Sequence, residues 1–360
     1  MSVARKYQKL SWLRINSSAS LVKIINLFIF SVSISIVFGC KGKVQRVPIV
    51  AQSSSDSYIY FLSQRDSIQS IYRLNLVDHK IEKVLPDSFG AVYELKFSPS
   101  GDVAIFKTAE FEGTVGAGFH LIKKPKIYLF DVGTGEVAML KAFDDSWSVE
   151  IRWLNIDTVE VYRISGGYQT GENFKLEIYG FAQDGELLYT KSKEYDWRKG
   201  EFPEDFPDVK LSSSDGRYSV EIKEDSIIGV RKIYLVGEGN RFEIFETRWK
   251  ISQLEWSSDG VYLVFSVVNI TPEAVEEPNV KTGEIYYFDT SRRNLYKISS
   301  GSGLFNFRFI NGTQIIFDKG FENKSEIYLY DLYQQSMKRL TDDDYPDGVS
   351  SIPKIIGFSA

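Results

Sequence analysis

The dipeptide Ile-Tyr opens a short apolar segment six times in this 360-residue chain, at intervals of 42 to 56 residues. The copies begin at Ile71, Ile127, Ile178, Ile233, Ile285 and Ile327. Each is followed by a polar turn and a second apolar segment, such as 136–140 after the turn at 133–135. A period of this length is typical of architectures in which each repeat buries an apolar face against the next one.

A second motif precedes most copies and supplies the other half of the repeat. It is clearest at 95–102 (LKFSPSGD) and 254–260 (LEWSSDG), with weaker versions at 151–157, 211–217 and 307–313. Asp-Gly and Asn-Gly between alternating apolar segments are hairpin turns, because Gly and Asn tolerate a positive φ. Each repeat therefore has four short strands, a to d, and six repeats predict an all-β, six-bladed propeller of four-stranded antiparallel blades.

The two ends of the repeat region predict how the ring closes. The first repeat has strands b, c and d at 58–62, 71–76 and 80–85, but no strand a precedes them. The last residues, 352–360, resemble an isolated strand a. We therefore expect the C-terminal strand to complete the first blade, since closure removes two exposed sheet edges.

The first 39 residues are predicted to be an export signal. Basic residues up to Lys23 precede an uncharged run of fifteen residues at 24–38. As a helix that run spans roughly 22 Å, less than the roughly 30 Å hydrocarbon core of a bilayer. This length suits a signal peptide better than a permanent membrane span. The run ends in Val37-Phe38-Gly39-Cys40, which resembles the bacterial lipobox, and Cys40 is the single cysteine of the chain.

The lipobox resemblance implies that 1–39 are removed and that Cys40 is acylated and anchors the protein to a membrane. Residues 40–57 then form a flexible tether, and 58–360 form the propeller. Phe38 departs from the lipobox pattern, and the alternative is an uncleaved membrane anchor. Both alternatives place the propeller in the cell envelope. Lys41 is not the Asp that retains some lipoproteins at the inner membrane, which favours the outer membrane or the periplasmic face.

Charge argues against a nucleic-acid partner. Residues 1–40 contain five basic and no acidic side chains, so the rest of the chain has 38 basic and 48 acidic ones. A domain this acidic repels a phosphate backbone. We therefore expect no binding to nucleic acid, and we expect a monomer.

The two motifs resemble the WD-like repeats of the TolB propellers and of the propeller domains of dipeptidyl-peptidase-like proteins. The resemblance covers roughly 57–360 and rests on the Phe/Trp-Ser-x-(x)-Asp-Gly and Ile-Tyr-x-x-Asp units. It implies a TolB-like six-bladed propeller. The α/β domain of TolB and the hydrolase domain of the peptidases have no counterpart in the sequence, so the resemblance does not extend to their roles.

The order of the strands separates tight turns from long loops. The a–b and c–d turns share one rim of the ring, and the b–c and d–a connections share the other. The long insertions at 109–125, 165–173, 195–207 and 269–282 all fall on this second, loop-rich rim. Long loops on one face of a rigid scaffold usually bind partners, and aromatic and Arg side chains are common anchors. The candidate binding residues are Phe111, Phe119, His120, Tyr168, Gln169, Trp197 and Arg198. The alternative is that these side chains pack within their own loops.

The sequence lacks the familiar catalytic and metal-binding motifs. Its two histidines, His79 and His120, are too few for a multi-histidine metal site. The acidic groups at 144–145 and 342–347 lack EF-hand spacing and read as solvated turns. Neither a nucleophile elbow nor a phosphate loop nor a dinucleotide fingerprint occurs. We therefore expect no metal, no cofactor and no enzymatic activity.

The sequence thus predicts a lipid-anchored envelope propeller that binds a protein or peptide partner through its loop-rich rim. The alternative is a small-ligand-binding, hydrolase or lyase-type propeller that uses the central channel of the ring. A channel lined by convergent carboxylates and Arg would favour this alternative, and a channel plugged by Tyr and Phe would count against it.

Overall fold

The computed structural model describes residues 46–48, 58–115, 119–167, 170–201, 203, 212–213, 215–225, 229–237, 239–269, 282–302, 305–321 and 324–349. The chain divides into two compact units, Met1–Lys43 and Val44–Ala360, and every described residue belongs to the second. The predicted signal at 1–39, Cys40 and the predicted strand at 352–360 lie outside the described residues. Within the described ranges, no helix is both long enough and apolar enough to cross a membrane.

The described residues form 26 strands and two single-turn 3₁₀ helices, Asp87–Phe89 and Trp197–Lys199. The first ten strands are β1 (Arg46–Pro48), β2 (Tyr58–Ser63), β3 (Ser70–Asn75), β4 (Ile81–Lys83), β5 (Ala91–Phe97), β6 (Val103–Ala109), β7 (Phe111–Val115), β8 (Phe119–Lys123), β9 (Lys126–Asp131) and β10 (Glu136–Ala142). The next seven are β11 (Ser148–Trp153), β12 (Thr158–Ser165), β13 (Phe174–Ala182), β14 (Leu187–Tyr195), β15 (Tyr218–Asp225), β16 (Val230–Gly237) and β17 (Asn240–Thr247). The last nine are β18 (Lys250–Trp256), β19 (Tyr262–Val268), β20 (Thr282–Asp289), β21 (Asn294–Ser302), β22 (Phe307–Phe309), β23 (Gln314–Phe321), β24 (Lys324–Asp331), β25 (Ser336–Arg339) and β26 (Asp347–Gly348).

Six antiparallel sheets arranged in a ring form the blades, which confirms the predicted six-bladed propeller. From the inner to the outer strand, blade 1 is β26-β2-β3-β4, blade 2 is β5-β6-β9-β10, blade 3 is β11 to β14, blade 5 is β18 to β21 and blade 6 is β22 to β25. Blade 4 contains β15, β16 and β17, and its inner position is marked by the bridge between Ser212 and Ser219. The predicted order of strands a to d is the observed one.

The Ile-Tyr motif is the structural unit of the third strand in each blade. Successive side chains of a strand point to opposite faces, so Ile and Tyr supply one contact to each face. The isoleucine is completely buried in five blades, at Ile71, Ile127, Ile233, Ile285 and Ile327. The tyrosine pairs across the sheet with a phenylalanine in four blades, as Phe61–Tyr72, Phe106–Tyr128, Phe265–Tyr286 and Phe317–Tyr328. Such aromatic pairs stabilise a sheet beyond the area that they bury.

The apolar core lies between successive blades. Five clusters of buried side chains each draw on two neighbouring blades, as where Leu62 and Ile71 of blade 1 meet Ala104 and Phe106 of blade 2. Both faces of a blade are therefore occupied by packing. The surfaces that remain available for a functional site are the two rims and the side chains of the innermost strands near the axis of the ring.

A C-terminal segment closes the ring, as the sequence predicts. In β26, Asp347 pairs with Ser63 and Gly348 pairs with Leu62 of β2. Closure is observed at 347–348, a few residues before the predicted strand at 352–360, which lies outside the described residues.

Ion pairs reinforce this closure. Arg65 donates to Asp343 at 2.6 Å and to Asp347 at 2.7 Å, and Asp347 is completely buried. Asp347 is thus not part of a solvated turn, because its carboxylate pairs with a cation from blade 1. These contacts join the segment after β25 to the loop after β2.

The segment predicted as a tether contains one described strand. Residues 46–48 form β1, which pairs antiparallel with Glu136–Ala138 of β10. Blade 2 consequently has a fifth strand on its outer edge. Within this part of the structure, the chain between Cys40 and the propeller includes a sheet contact.

Candidate functional site

The hairpin β7–β8 contains the first three residues predicted for the loop-rich rim. Its strands pair from Phe111 with Lys123 to Val115 with Phe119, so the insertion at 109–125 is a small sheet. Phe111 remains 39% exposed and His120 is exposed, while the side chain of Phe119 lies outside the described part. An aromatic ring exposed on a paired hairpin is available for contact with a partner.

Trp197 and Arg198 lie in the 3₁₀ turn after β14. The indole nitrogen of Trp197 donates to the Glu172 carbonyl at 2.9 Å. The Arg198 guanidinium donates to the Gly171 carbonyl. Arg198 also lies over the Trp197 ring, with its Cζ 4.9 Å from the centroid. The structure therefore joins this turn to the loop that contains Tyr168 and Gln169, which lie outside the described residues. These two contacts of Trp197 are with its own chain, and its role in binding a partner stays a prediction.

A different set of charged residues meets at the centre of the ring. In blades 2, 3, 5 and 6 the innermost strand presents a charged side chain at the same position, after a buried apolar residue and before an aromatic one. These residues are Lys96, Arg152, Glu255 and Arg308. Glu94 and Glu150 lie two residues earlier in blades 2 and 3. We call these six residues the channel cluster.

Between blades 2 and 3 the charges of the cluster are already paired. Lys96 Nζ lies 2.8 Å from Glu94 Oε1 and donates to the Ile151 carbonyl of the next blade at 2.7 Å. Lys107, which is nearly buried, lies 3.6 Å from the other oxygen of Glu94 and donates to the Val149 carbonyl at 2.9 Å. Burial acts to raise the pKa of Glu94, but the two lysines hold that pKa below its usual value. Glu94 is therefore an ionised part of the frame.

Arg152 and Glu150 form a looser pair beside this frame. Their closest charged atoms are 3.5 Å apart, and Arg152 Cζ lies 5.5 Å from the centroid of the Tyr162 ring. The Tyr162 hydroxyl donates to the buried carboxylate of Glu160, which also accepts from Tyr189 at 2.5 Å. Burial raises the pKa of Glu150, and Arg152 only partly offsets this.

On the opposite side of the channel, blades 5 and 6 are joined through Gln253. Its Nε2 donates to the Phe307 carbonyl at 2.6 Å, and its Oε1 accepts from the Phe307 backbone N–H at 3.2 Å. The same Nε2 donates to Glu255 Oε1 at 2.6 Å. The two hydrogen bonds to Phe307 fix the amide, so the position of the Glu255 carboxyl is fixed as well.

Arg308 reaches from blade 6 across to blades 1 and 2. Its Nη2 donates to the Tyr60 carbonyl at 2.9 Å, and its Cζ lies 3.8 Å above the centroid of the Phe97 ring. Its Nε is buried and has no hydrogen-bond partner among the described residues. Stacking on an aromatic face holds a guanidinium plane in place and leaves its in-plane donors for other groups.

Glu255 and Arg308 have perturbed acidities. Burial raises the pKa of Glu255 to about 7, against the Gln253 hydrogen bond and the charges of Lys96 and Arg308. Burial lowers the pKa of Arg308 to about 10, and Glu255 opposes this change. Neither residue forms an ion pair with another described side chain. Perturbed and unpaired charged groups at the centre of a scaffold are typical of functional sites.

The donor set does not point to a metal. Within the described residues, no group of three His, Cys, Asp or Glu side chains is placed to hold a metal ion. The oxygens of the channel cluster belong to carboxylates that alternate with Lys and Arg, and such cations compete with a metal for the same oxygens.

Sequence reasoning on loops alone missed the channel cluster, although the repeats contain its signal. The aligned triplets are Leu95-Lys96-Phe97, Ile151-Arg152-Trp153, Leu254-Glu255-Trp256 and Phe307-Arg308-Phe309. The outer residues of each triplet keep their chemical type, while the middle one changes among Lys, Arg and Glu. Since repeats place equivalent residues at equivalent positions around the axis, these middle residues were predictable as neighbours.

Comparison with known proteins identifies the fold. No protein-family model and no curated protein matches the sequence. Among solved structures, TolB from Acinetobacter baumannii aligns with a TM-score of 0.51 and 13% identity over 95% of this chain and 75% of that chain. A putative 6-phosphogluconolactonase from Bacteroides fragilis has 15% identity over 84% of this chain and 98% of that chain, with a TM-score of 0.46. Oligogalacturonate lyase from Vibrio parahaemolyticus has 13% identity over 81% and 94%, with a TM-score of 0.46. The chain has a TolB-like six-bladed propeller fold.

Proposed function

We propose that this propeller binds a small charged ligand in its central channel, at the channel cluster. The observation behind the proposal is that Glu255 and Arg308 face each other from adjacent blades, and that each is held rigidly without an ion-pair partner among the described residues. Buried charges are costly unless a partner compensates them. A ligand that contacts both groups supplies that partner.

The geometry favours the channel over the rim as the main binding site. The sequence predicted that convergent carboxylates and Arg in the channel would argue for a ligand there, and the inner strands present this combination. Phe97 is the aromatic residue in contact with Arg308, and it supports the guanidinium from one side. The proposal is a binding function without turnover, and chemical conversion of the bound compound over time would contradict that part.

A thermal-shift screen of the full-length protein in detergent tests the proposal. The panel contains sugars, sugar acids, amino acids and short peptides, and a binder is expected to raise the melting temperature through mass action. Arg308→Gln should abolish the shift. Arg241→Gln is the matched control, since Arg241 pairs with Glu221 on the outer part of blade 4 and should leave the shift intact. If no compound stabilises the wild-type protein, or if Arg308→Gln leaves a shift unchanged, the channel is not the site.

A second candidate function is protein binding at the loop-rich rim, which the exposed Phe111 and His120 of the β7–β8 hairpin favour. Lys124 and Glu110, whose charged atoms are 2.8 Å apart, pair with each other across the base of this hairpin. The double substitution Phe111→Ala and His120→Ala should remove a partner captured from envelope extract. Leu188→Ala, which alters an exposed residue of β14, is the control. Equal capture by both variants would contradict this role.

Membrane anchoring through an acylated Cys40 belongs to the proposal and rests on the sequence pattern. Metabolic labelling with a fatty acid should mark the wild-type protein, and Cys40→Ser should remove the label and release the protein from the membrane fraction. Label retained by Cys40→Ser would exclude this anchor.

A further inference from the structure

The proposed channel function can be extended to a class of ligand and to its regulation, and this extension rests on that function. We infer that the ligand has an anionic group, that Arg308 receives this group, and that uptake of a proton by Glu255 strengthens its binding. The inference follows from which charges of the channel cluster are already compensated and which are not.

Most of the Lys and Arg side chains near the channel already have a carboxylate of the protein as a neighbour. Lys96 is paired with Glu94 and bonded to a backbone carbonyl, and Lys107 lies within 3.6 Å of Glu94 and 3.2 Å of Glu112. Arg152 has Glu150 as its carboxylate neighbour at 3.5 Å. An anion that approaches any of these groups has to displace a carboxylate that is part of the protein. Lys96, Lys107 and Arg152 are therefore poor binding groups for an anionic ligand.

Arg308 differs from them. Within the described residues its hydrogen-bond acceptor is the neutral Tyr60 carbonyl, and its Nε has no partner. The Phe97 ring supports one face of the guanidinium plane at 3.8 Å. A planar guanidinium held in this way is preorganised for a carboxylate, phosphate or sulfate group, since little side-chain entropy is lost on binding.

Glu255 controls how attractive Arg308 is to an anion. The charged groups that face Glu255 are Lys96 from blade 2 and Arg308 from blade 6, and its hydrogen-bond donor is Gln253 on its own strand. When ionised, the Glu255 carboxylate offsets the charge of Arg308 and repels an incoming anion. When protonated, it leaves the charge of Arg308 uncompensated and adds an O–H donor that the ligand can use.

The pH range of this switch follows from burial. The pKa of Glu255 is raised to about 7, so the residue changes charge near neutral pH. Anion binding takes place with the protonated form and should weaken as the pH rises through that value. At the effective dielectric constants of partly buried sites, a unit charge beside a bound anion changes its affinity by about fivefold or more.

Calorimetric titration of the full-length protein with sulfate at pH 6 and pH 8, at constant ionic strength, tests this inference. Sulfate keeps its charge throughout this range, so any pH dependence belongs to the protein. Acetate in a parallel titration distinguishes a carboxylate-shaped site from a phosphate-shaped or sulfate-shaped one. We expect sulfate, acetate or both to bind about fivefold more weakly at pH 8 than at pH 6.

Three variants separate the parts of the inference. Glu255→Gln should bind anions with the same affinity at both pH values, close to the wild-type affinity at pH 6. Arg308→Gln should not bind them, while Arg308→Lys, which keeps the charge and a donor to Tyr60, should bind more weakly but retain the pH dependence. Arg241→Gln on the outer part of blade 4 should behave as wild type.

The outcomes are distinguishable from failure of the channel function itself. Binding of a neutral or cationic compound that depends on Arg308 supports the channel site but overturns the anionic class. Anion binding with equal affinity at the two pH values, or a pH dependence that survives in Glu255→Gln, overturns the role of Glu255. The absence of both sulfate and acetate binding at pH 6 overturns the inference as a whole.

Discussion

Asp318 provides the sharpest test of how the ring is held closed. It lies on β23 of blade 6, is completely buried, and its carboxylate accepts three hydrogen bonds. The donors are the backbone N–H of Asn306 at 2.8 Å, the side-chain amide of Asn306 at 2.9 Å and the backbone N–H of Val349 at 3.0 Å. Val349 directly follows the closing strand β26, so one carboxylate ties the C-terminal segment to blade 6.

The substitution Asp318→Ala leaves two buried backbone donors without this acceptor. A buried donor without a partner costs about 1 to 3 kcal/mol, and removal of a costly buried carboxylate offsets part of the loss. We therefore expect the closing segment to be destabilised by about 3 kcal/mol, which corresponds to an increase of about 100-fold in local opening.

Hydrogen–deuterium exchange read by mass spectrometry measures this opening in the full-length protein. Peptides that cover β2 and β26 should exchange about 100-fold faster in Asp318→Ala, while peptides from blades 3 and 5 should be unchanged. Asp289→Ala is the matched control, since Asp289 is also buried but accepts from Ser291 and Arg292 within a turn of blade 5. Faster exchange spread evenly over the blades, or an unchanged rate at the closure, would refute the reasoning.

Two further predictions concern stability. Gly180→Ala places a Cβ 2.4 Å from Tyr189 Cζ, so it should lower the free energy of unfolding by about 1 to 3 kcal/mol in denaturant titrations. In a Tyr189→Ala background the same substitution should cost almost nothing. If the costs of the two single substitutions simply add in the double variant, the contact is not the cause. Burial raises the pKa of both Asp318 and Asp347 from 3.8 to about 7, so the folded state binds these protons more tightly than the unfolded state. Their contribution to stability is complete below about pH 4 and is lost as the pH rises to about 7, so the melting temperature should fall between about pH 4 and pH 7 and level off above it, and Asp318→Asn should reduce that fall.

The repeat pattern was sufficient to predict the fold, because each motif has a direct structural reason. The Ile of the Ile-Tyr motif is buried between blades, and the Tyr packs on a cross-strand Phe in four of the six blades. Glycine supplies the positive φ of the hairpin turns, at Gly216 and Gly260 after an Asp and at Gly101 after a Ser. Closure was predictable as well, because the first repeat lacks an inner strand and the C-terminal end has a spare one. Pairing the spare strand with the first repeat closes the ring.

The position of the closing strand and the contacts that Trp197 and Arg198 make were not predictable in the same way. Asp347 belongs to an acidic run that resembles a solvated turn, and its burial depends on Arg65, which is 282 positions away in the chain. Trp197 and Arg198 resemble interface anchors, but they bond to the backbone of a neighbouring loop. In both cases the deciding partner comes from another element, and no local pattern identifies it.

The triplets of the innermost strands contain positions that packing constrains and a position that varies between blades. In each triplet of the innermost strands, the residue before the variable position is buried between blades, as Leu95 and Ile151 are, so packing restricts it to apolar types. The middle residue lies outside these apolar clusters and makes polar contacts that differ from blade to blade, so apolar packing alone does not determine its chemistry. It is Lys in blade 2, Arg in blades 3 and 6, and Glu in blade 5. Four equivalent positions that differ in charge cannot all serve the same structural role. The asymmetric charged ligand that we propose, which would contact each blade differently, accounts for this variation.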